Sequence, residues 1–394
     1  MKRVGPTSRN LNADSEELIE LTKQLVSIRS ENPPGEQSEI GEFLESKMRE
    51  TGLRVERYDF GPGKPNIIGR LVGKNRRPVL MFNGHVDTVP VGDTARWRSD
   101  PFEPVVRDGK LYGRGAADMK GGLAAMIHAA QNIAKTEADL NGTLLIACVV
   151  DEEVTGYGTK SLVEKGYTAD FAVVGEPTEL SVLTAHKGVL EFNVTTTGIS
   201  AHASTPRNGV NAIYKMSKVL LAIQKNLDEL EKKSHPLVGR PSISVGKICG
   251  GVASSVVPER CEIAVERRIL PGENSDEVKR GVQDLLKMVK NEDPELKLEW
   301  NVTLEVDASE TPLDSLIAKK SLEAVSEVTG ISQTAKGFAA ACDMRFLVNR
   351  GKVPTVILGP GSLNQAHATD EYVGTKQLVD AANIYQLIAR KLLE

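Results

Sequence analysis

Short apolar runs alternate with amphipathic stretches through the first half of the chain. Leu18, Leu21, Leu25 and Ile28 recur at helical spacing behind Asp14 and Ser15, which read as an N-cap. Pro33-Pro34-Gly35 interrupts this helix. A second follows, with Ile40, Phe43, Leu44 and Met48 on one face and Gly52 as its stop. Strand-like runs then fall at 53–58, 66–71 and 79–82. Residues 119–134 read as a helix, 143–150 as a fully buried strand, 158–165 as a short helix and 171–174 as another buried strand. Continuous apolar strands between helices predict a mixed sheet covered by helices on both faces.

Near Lys187 the pattern changes. Residues 189–196 alternate, as a half-exposed strand does. A long helix at 210–230, strands at 242–248 and 261–268, a helix at 275–291 and a strand at 296–306 complete the order of a split βαβ unit. After Pro312, helix and buried strand alternate again at 313–328, 353–358 and 375–393. The predicted fold class is therefore α/β: one domain at 1–186 and 307–394, interrupted by an inserted ferredoxin-like α+β domain at 187–306. No internal repeat or low-complexity tract is present.

Composition narrows the function classes. The 394 residues suffice for one large or two ordinary domains. With 49 basic and 53 acidic residues, the balance argues against nucleic acid or an anionic membrane as partner. No apolar run approaches the ~20 residues that span a bilayer. The start, Met1-Lys2-Arg3 and mostly polar residues to Ser15, lacks the apolar core of a signal peptide. Cys148, Cys249, Cys261 and Cys342 are scattered without a close pair, and Cys148 sits in an apolar strand as core. These features lead us to expect a soluble, cytoplasmic protein.

The candidate chemistry gathers where buried strands end. Val79-Leu80-Met81-Phe82 runs into Asn83-Gly84-His85-Val86-Asp87, and sites in open α/β sheets form at the carboxyl ends of strands. Asp87 lies where it can hold one ring nitrogen of His85 while the other binds a metal. Taken alone, His-x-Asp reads as a surface hydrogen bond. Gly113-Arg114-Gly115-Ala116-Ala117-Asp118-Met119-Lys120-Gly121-Gly122 places a carboxylate in a glycine-rich approach to a helix, and its spacing fails both nucleotide fingerprints. Asp151-Glu152-Glu153 and Gly175-Glu176-Pro177 each follow a buried strand directly. Acids so placed are costly to hold together without a cation, although a solvated turn is the plain alternative. The strand at 353–358 leads into Gly359-Pro360-Gly361 and then Ala366-His367-Ala368. Two imidazoles and three carboxylates suit a pair of zinc-like ions, and a spare carboxylate beside them suits proton transfer from water.

Together these motifs resemble the dinuclear metallohydrolases that include acetylornithine deacetylase, succinyl-diaminopimelate desuccinylase, aminoacylase and glutamate carboxypeptidase. The resemblance runs from about Asp14 to the end, through Gly84-His85-Val86-Asp87, 113–122, Asp151-Glu152-Glu153, Gly175-Glu176-Pro177-Thr178, Ala201-His202-Ala203-Ser204-Thr205-Pro206 and His367. It implies two divalent ions per chain, zinc first, with cobalt or manganese as alternates. His85 and Glu176 would hold one and Glu153 and His367 the other, with Asp118 bridging. Asp87 would orient His85, Glu152 would act as general base, and a cis peptide would follow Asp118. The inserted domain would be a lid that also forms a homodimer. There His202 would stabilise the oxyanion and Arg268 would bind a substrate carboxylate, an arginine's fork meeting it bidentately. Gly359 and Gly361 would line the substrate. Two positions depart from the family pattern: Ser255 stands for an asparagine, and Glu266 for the usual aspartate before Arg268. His128 reads as a packed or surface residue, His235 as a solvated loop residue and Glu231-Lys232-Lys233 as solvated surface. His186 is given no role.

The expected activity is metal-dependent hydrolysis of a linear amide in an N-acyl amino acid, of the acetylornithine or succinyl-diaminopimelate kind. A carboxypeptidase or dipeptidase acting on short peptides is the alternative within the family, and a catalytically silent binding protein the alternative outside it. No Gly-x-Ser-x-Gly elbow supports a serine hydrolase.

Overall fold

The computed structural model describes residues 8–136 and 140–394, with side chains from Asp14 onward. The polar first residues, read above against a signal peptide, lie partly outside the described residues. Two compact units emerge. The first takes the chain up to Thr184, then Thr311–Lys336 and Cys342–Glu394; the second takes Ala185–Glu310 and Gly337–Ala341. Among the described residues no helix is long and apolar enough to cross a membrane.

In the first unit a mixed sheet runs in the order Arg54–Gly61, Lys64–Val72, Thr143–Val149, Val79–His85, Phe171–Val174, Thr355–Ile357, and then the start of Leu183–His186, a strand whose last two residues belong to the second unit. The four strands from Thr143–Val149 to Thr355–Ile357 are parallel, and the strands flanking them pair antiparallel. Parallel neighbours need crossovers. The helices Gly121–Lys135 and Tyr157–Glu164 occupy two of them. Every residue of Thr143–Val149 and all but the first of Val79–His85 are buried, because side chains on both sheet faces meet helices rather than water. On one face Leu80, Phe82, Leu144 and Ile146 join Leu18, Leu21, Ile40, Leu44, Leu123, Ile127, Tyr385 and Ile388 in a single core. Each such side chain stabilises the fold by about 1.5–3 kcal/mol relative to exposure.

Two local readings need correction, and one small sheet adds to them. The first helix is Ser8–Ser27, so Asp14 and Ser15 lie inside it. The Asp14 carboxylate reaches His128 and Asn132 on the helix Gly121–Lys135 instead of capping its own. The latter helix starts at Gly121, not 119, because a separate π-helical turn, Ala116–Lys120, precedes it and leaves helical geometry at Asp118 (φ −124°, ψ 97°). The small sheet Val105–Arg107, Lys110–Tyr112, Tyr372–Gly374 was not legible: its strands are three residues each and pair across the chain.

The second unit is a four-stranded antiparallel sheet ordered Ser242–Gly250, Arg260–Ile269, Gly188–Thr197, Lys297–Val306, with helices Ala212–Leu230 and Ser275–Glu292. Its central strands alternate: Leu190, Phe192 and Val194 are buried while Glu191, Asn193 and Thr195 are not. That period follows from having helices on one face only. Phe192 meets Trp300 edge to face at 5.8 Å.

Candidate metal centre

Three parallel strands in fixed register bring acids and a histidine to one edge. Asn83 pairs with Ala147 and Val174, and His85 with Val149. His85 is thus the last residue of its strand. Glu152 and Glu153 follow Thr143–Val149, and Glu176 stands two residues beyond Phe171–Val174. Asp118 enters from the turn ahead of Gly121–Lys135, and His367 from the loop beyond Thr355–Ile357, with φ 61°. The Asp118–Met119 peptide is cis. Gly122 lets the helix begin hard against this edge, since a Cβ there would stand 2.2 Å from the Gly175 carbonyl oxygen.

Two triads result, each with its ligand-type atoms within 4.8 Å of one another: His85, Asp118 and Glu176, and Asp118, Glu153 and His367. His85 Nε2 lies 3.2 Å from Asp118 Oδ1 and 3.9 Å from Glu176 Oε1. His367 Nε2 lies 3.1 Å from Glu153 Oε2 and 3.4 Å from Asp118 Oδ2. Glu152 belongs to neither group.

The donor set fits divalent cations. His85 Nδ1 is 2.9 Å from the Asp87 carbonyl oxygen, which only accepts, so the ring proton sits on Nδ1. That leaves the Nε2 lone pair facing carboxylates, an arrangement that calls for a proton or a cation between them. Glu153 Oε1 and Glu176 Oε1 are buried without a hydrogen-bond partner, which is costly unless something charged meets them. In the metal-free chain protons take that part. Burial, reinforced by Asp118, drives Glu176 well above its ordinary value. Burial opposes protonation of His85, yet Asp118 and Glu176 raise it well above the usual imidazole range. Hydrogen bonds to Asp118 and Glu153 lift His367 to about 10.

Residues 81–391 match the model of peptidase family M20/M25/M40. The chain belongs to peptidase family M20/M25/M40. It is 32% identical to the acetylornithine deacetylase of Vibrio campbellii (strain ATCC BAA-1116), over 88% of this chain and 90% of that one. It is 29% identical to the N-formyl-4-amino-5-aminomethyl-2-methylpyrimidine deformylase of Bacillus subtilis (strain 168), over 97% and 96%. Among solved structures, the aminopeptidase PepT from Bacillus cereus ATCC 10987 shares the fold, with a TM-score of 0.81 at 23% identity over 96% of this chain and 98% of that one. As a member of this family, the chain is a hydrolase of amide bonds.

In this M20-family chain the surroundings of the triads differ in detail from expectation. The Asp87 carboxylate is 3.6 Å from His85 Nδ1, too far to be its holder; the Asp87 backbone carbonyl does that work. The carboxylate instead accepts the N–H groups of Glu152 and Glu153, both at 3.1 Å, and the Asn32 amide at 3.0 Å. Asn32 also donates to Asp151 at 2.9 Å, and Lys64 and Thr155 bind Asp151 as well. Burial pushes Glu152 up to about 8, against the pull of His85; Arg345 Nη1 stands 3.9 Å from its carboxylate. The Gly359 N–H donates to Thr178 Oγ1 and the Gly361 N–H to Gln377 Oε1. Neither glycine therefore offers a free donor. A Cβ at Gly359 would meet the Gly175 oxygen at 2.4 Å.

The M20 chain's second unit holds His202, Ser255 and Arg268. A bridge between His202 and Val256, with the Ala203 N–H donating to the Ser255 carbonyl, sets the first two side by side. The Ser204 N–H donates to His202 Nδ1 at 3.1 Å, so the neutral ring carries its proton on Nε2. Arg268 is gripped by Glu266 through Nε at 2.8 Å and Nη2 at 3.2 Å. His128 is buried beside Asp14. His235 is not a solvated residue: its ring accepts the Leu237 N–H and pairs with Glu310. Sequence reasoning passed over Asn32, Asp343 and Arg345. Asn32 sits in a proline turn; Asp343, which accepts the Thr159 hydroxyl at 2.7 Å, stands just before the ordinary short helix Met344–Asn349 and Arg345 inside it, so no local pattern marks them.

Proposed function

We propose that this chain is a two-metal deacylase that hydrolyses the linear amide of a small N-acyl amino acid. One observation carries the reading: two triads share Asp118, while the half-buried Glu152 beside them belongs to neither. His85, Asp118 and Glu176 would hold one divalent ion, and Asp118, Glu153 and His367 the other. Ions held there, zinc first with cobalt or manganese as alternates, supply Lewis-acid polarisation of the amide carbonyl and make water acidic enough to attack. Glu152 takes the proton of the attacking water on its carboxylate and delivers it to the leaving nitrogen. Asp87 holds the His85 ring through its carbonyl, and through its carboxylate the backbone on which Glu152 stands.

Residues 187–306 are proposed as a lid that also dimerises. The Nε2–H of His202 would donate to the oxyanion, in its own chain's site or its partner's, and Arg268 would engage the substrate carboxylate with Ser255 nearby. Likeness to acetylornithine deacetylase supports an acetyl group and an amino-acid product. A cytoplasmic location accords with such a substrate.

The grip of Glu266 on Arg268 favours a second reading. An arginine whose charge is already countered by a carboxylate along its Nε–Nη2 edge suits a substrate without a carboxylate, and the N-formyl aminomethylpyrimidine of the Bacillus subtilis relative is one. A hydrolysis screen of metal-loaded protein separates the possibilities. It sets N-acetyl, N-succinyl and N-formyl amino acids against that pyrimidine, dipeptides and C-terminal glutamate peptides. Fastest turnover of N-acyl amino acids, lost in Arg268→Ala, is the expected result. Fastest turnover of the pyrimidine, untouched by Arg268→Ala, would install the second reading. Preference for peptides would make the chain a peptidase, and no turnover at all a silent binding protein.

A further inference from the structure

The segment that presents Asp118 is wound around one buried carboxylate from a distant part of the chain. On Oε2, Glu371 accepts Arg114 Nη1 at 2.7 Å and the Gly115 N–H at 3.0 Å. On Oε1 it accepts the Ala117 N–H at 2.8 Å and the Asp118 N–H at 3.0 Å. Its backbone carbonyl takes the Gly113 N–H at 3.0 Å. The Glu371 and Arg114 side chains are 1% and 3% exposed, and the guanidinium lies over the Trp97 ring at 5.1 Å. Converging backbone amides of this kind form an anion-binding nest; here the anion is the chain's own. Each carboxylate oxygen already receives two donors.

The position of Glu371 along the chain matters as much as its bonds. It stands four residues after His367, and the strand that follows it, Tyr372–Gly374, pairs with Lys110–Tyr112, immediately before the wound segment. Asp118 and His367 are the two members of the second triad that do not follow a sheet strand directly. Glu371 ties the backbone of one to the segment carrying the other.

We propose that Glu371, with Arg114 as its counter-charge, is a positioning residue that sets Asp118 relative to His367, and thereby how tightly the Asp118–Glu153–His367 triad holds its ion. The proposal rests on the two-ion reading above. The His85–Asp118–Glu176 triad depends on Glu371 only through Asp118, since His85 and Glu176 come from strand ends. Damage at Glu371 therefore falls mainly on one ion.

Glu371→Gln is the sharpest probe. The amide matches the carboxylate in size, but whichever way it turns, its NH2 faces two donors. Metal-free wild type, Glu371→Gln and the double variant Arg114→Met/Glu371→Gln would be titrated with zinc ion alone by competition calorimetry, with thermal unfolding in parallel. Wild type is expected to bind in two steps. In Glu371→Gln one step should fall about 10–100-fold, as loss of a partner behind a ligand does, while the other changes far less. The double variant removes the buried cation left without a counter-charge; it should recover the unfolding midpoint but not the lowered step. Recovery of both together, or wild-type affinities at both steps in Glu371→Gln, would assign Glu371 to folding alone and overturn the proposal. Should Glu371→Gln fail to fold, Glu371→Asp keeps the charge with a shorter reach, and two undiminished steps in it would be equally fatal. A wild type that saturates at one zinc per chain would strike down the two-ion reading and this proposal with it.

Discussion

The two triads share Asp118 and differ in almost everything else. In one, His85 and Glu176 are 1% and 5% exposed and sit at the ends of neighbouring parallel strands. In the other, Glu153 is buried, but His367 is 54% exposed and hangs in a loop ten residues beyond its strand. Two of the closed triad's ligands inherit their geometry from the sheet's hydrogen-bond ladder, where a shift of His85 would break backbone pairing. The open triad has no such ladder beneath His367, and its geometry is set by side-chain contacts. A ligand set can therefore be half rigid scaffold and half assembled contact, and the halves should fail differently.

The largest effect expected comes from a residue outside both triads. Glu152→Gln keeps size and hydrogen bonding but cannot take a proton, so turnover should fall ~10²–10⁴-fold with both ions retained. Steady-state rates beside metal analysis check this. Glu153→Gln should instead release the ion of the open triad. Exchange of these two phenotypes would move the base from Glu152 to Glu153.

Next comes the asymmetry itself. In metal-free protein, His85→Ala strips the buried Asp118 carboxylate of a fully buried cationic partner, and losing one member of a buried pair costs about 3–5 kcal/mol. His367→Ala removes a half-exposed partner, for which about 1 kcal/mol or less is expected. Urea unfolding of the two variants measures the difference, and each should still bind one ion. Equal losses of stability would erase the distinction between the triads.

A smaller effect should touch both triads at once. Asn32 steadies Asp87, whose carbonyl holds His85 and whose carboxylate holds the Glu152 and Glu153 amides. Asn32→Ala should lower activity about 10-fold, the low end for partners behind a ligand, and weaken both ions to a similar degree. Weakening of one ion alone would show that Asp87 serves a single triad.

The sequence by itself determined the elements whose causes are local. A short apolar run bounded by turn residues reads as a buried strand, and the residue that ends such a strand is displayed at the sheet's edge. This is why His85, the 151–153 acids and Glu176 were legible as candidates, and why the alternating strands beyond Lys187 announced a second kind of sheet. Only the tertiary structure decided which of those acids face which imidazole, because that depends on strand order and register between segments far apart in the chain. It also decided that Asp87 holds His85 by its carbonyl and not its carboxylate, since the carboxylate is drawn away by amides of a turn 65 residues distant. The pairing of Arg114 with Glu371 spans 257 residues. Neither residue breaks any local pattern, because a buried charge is explained only by the partner that the fold brings to it.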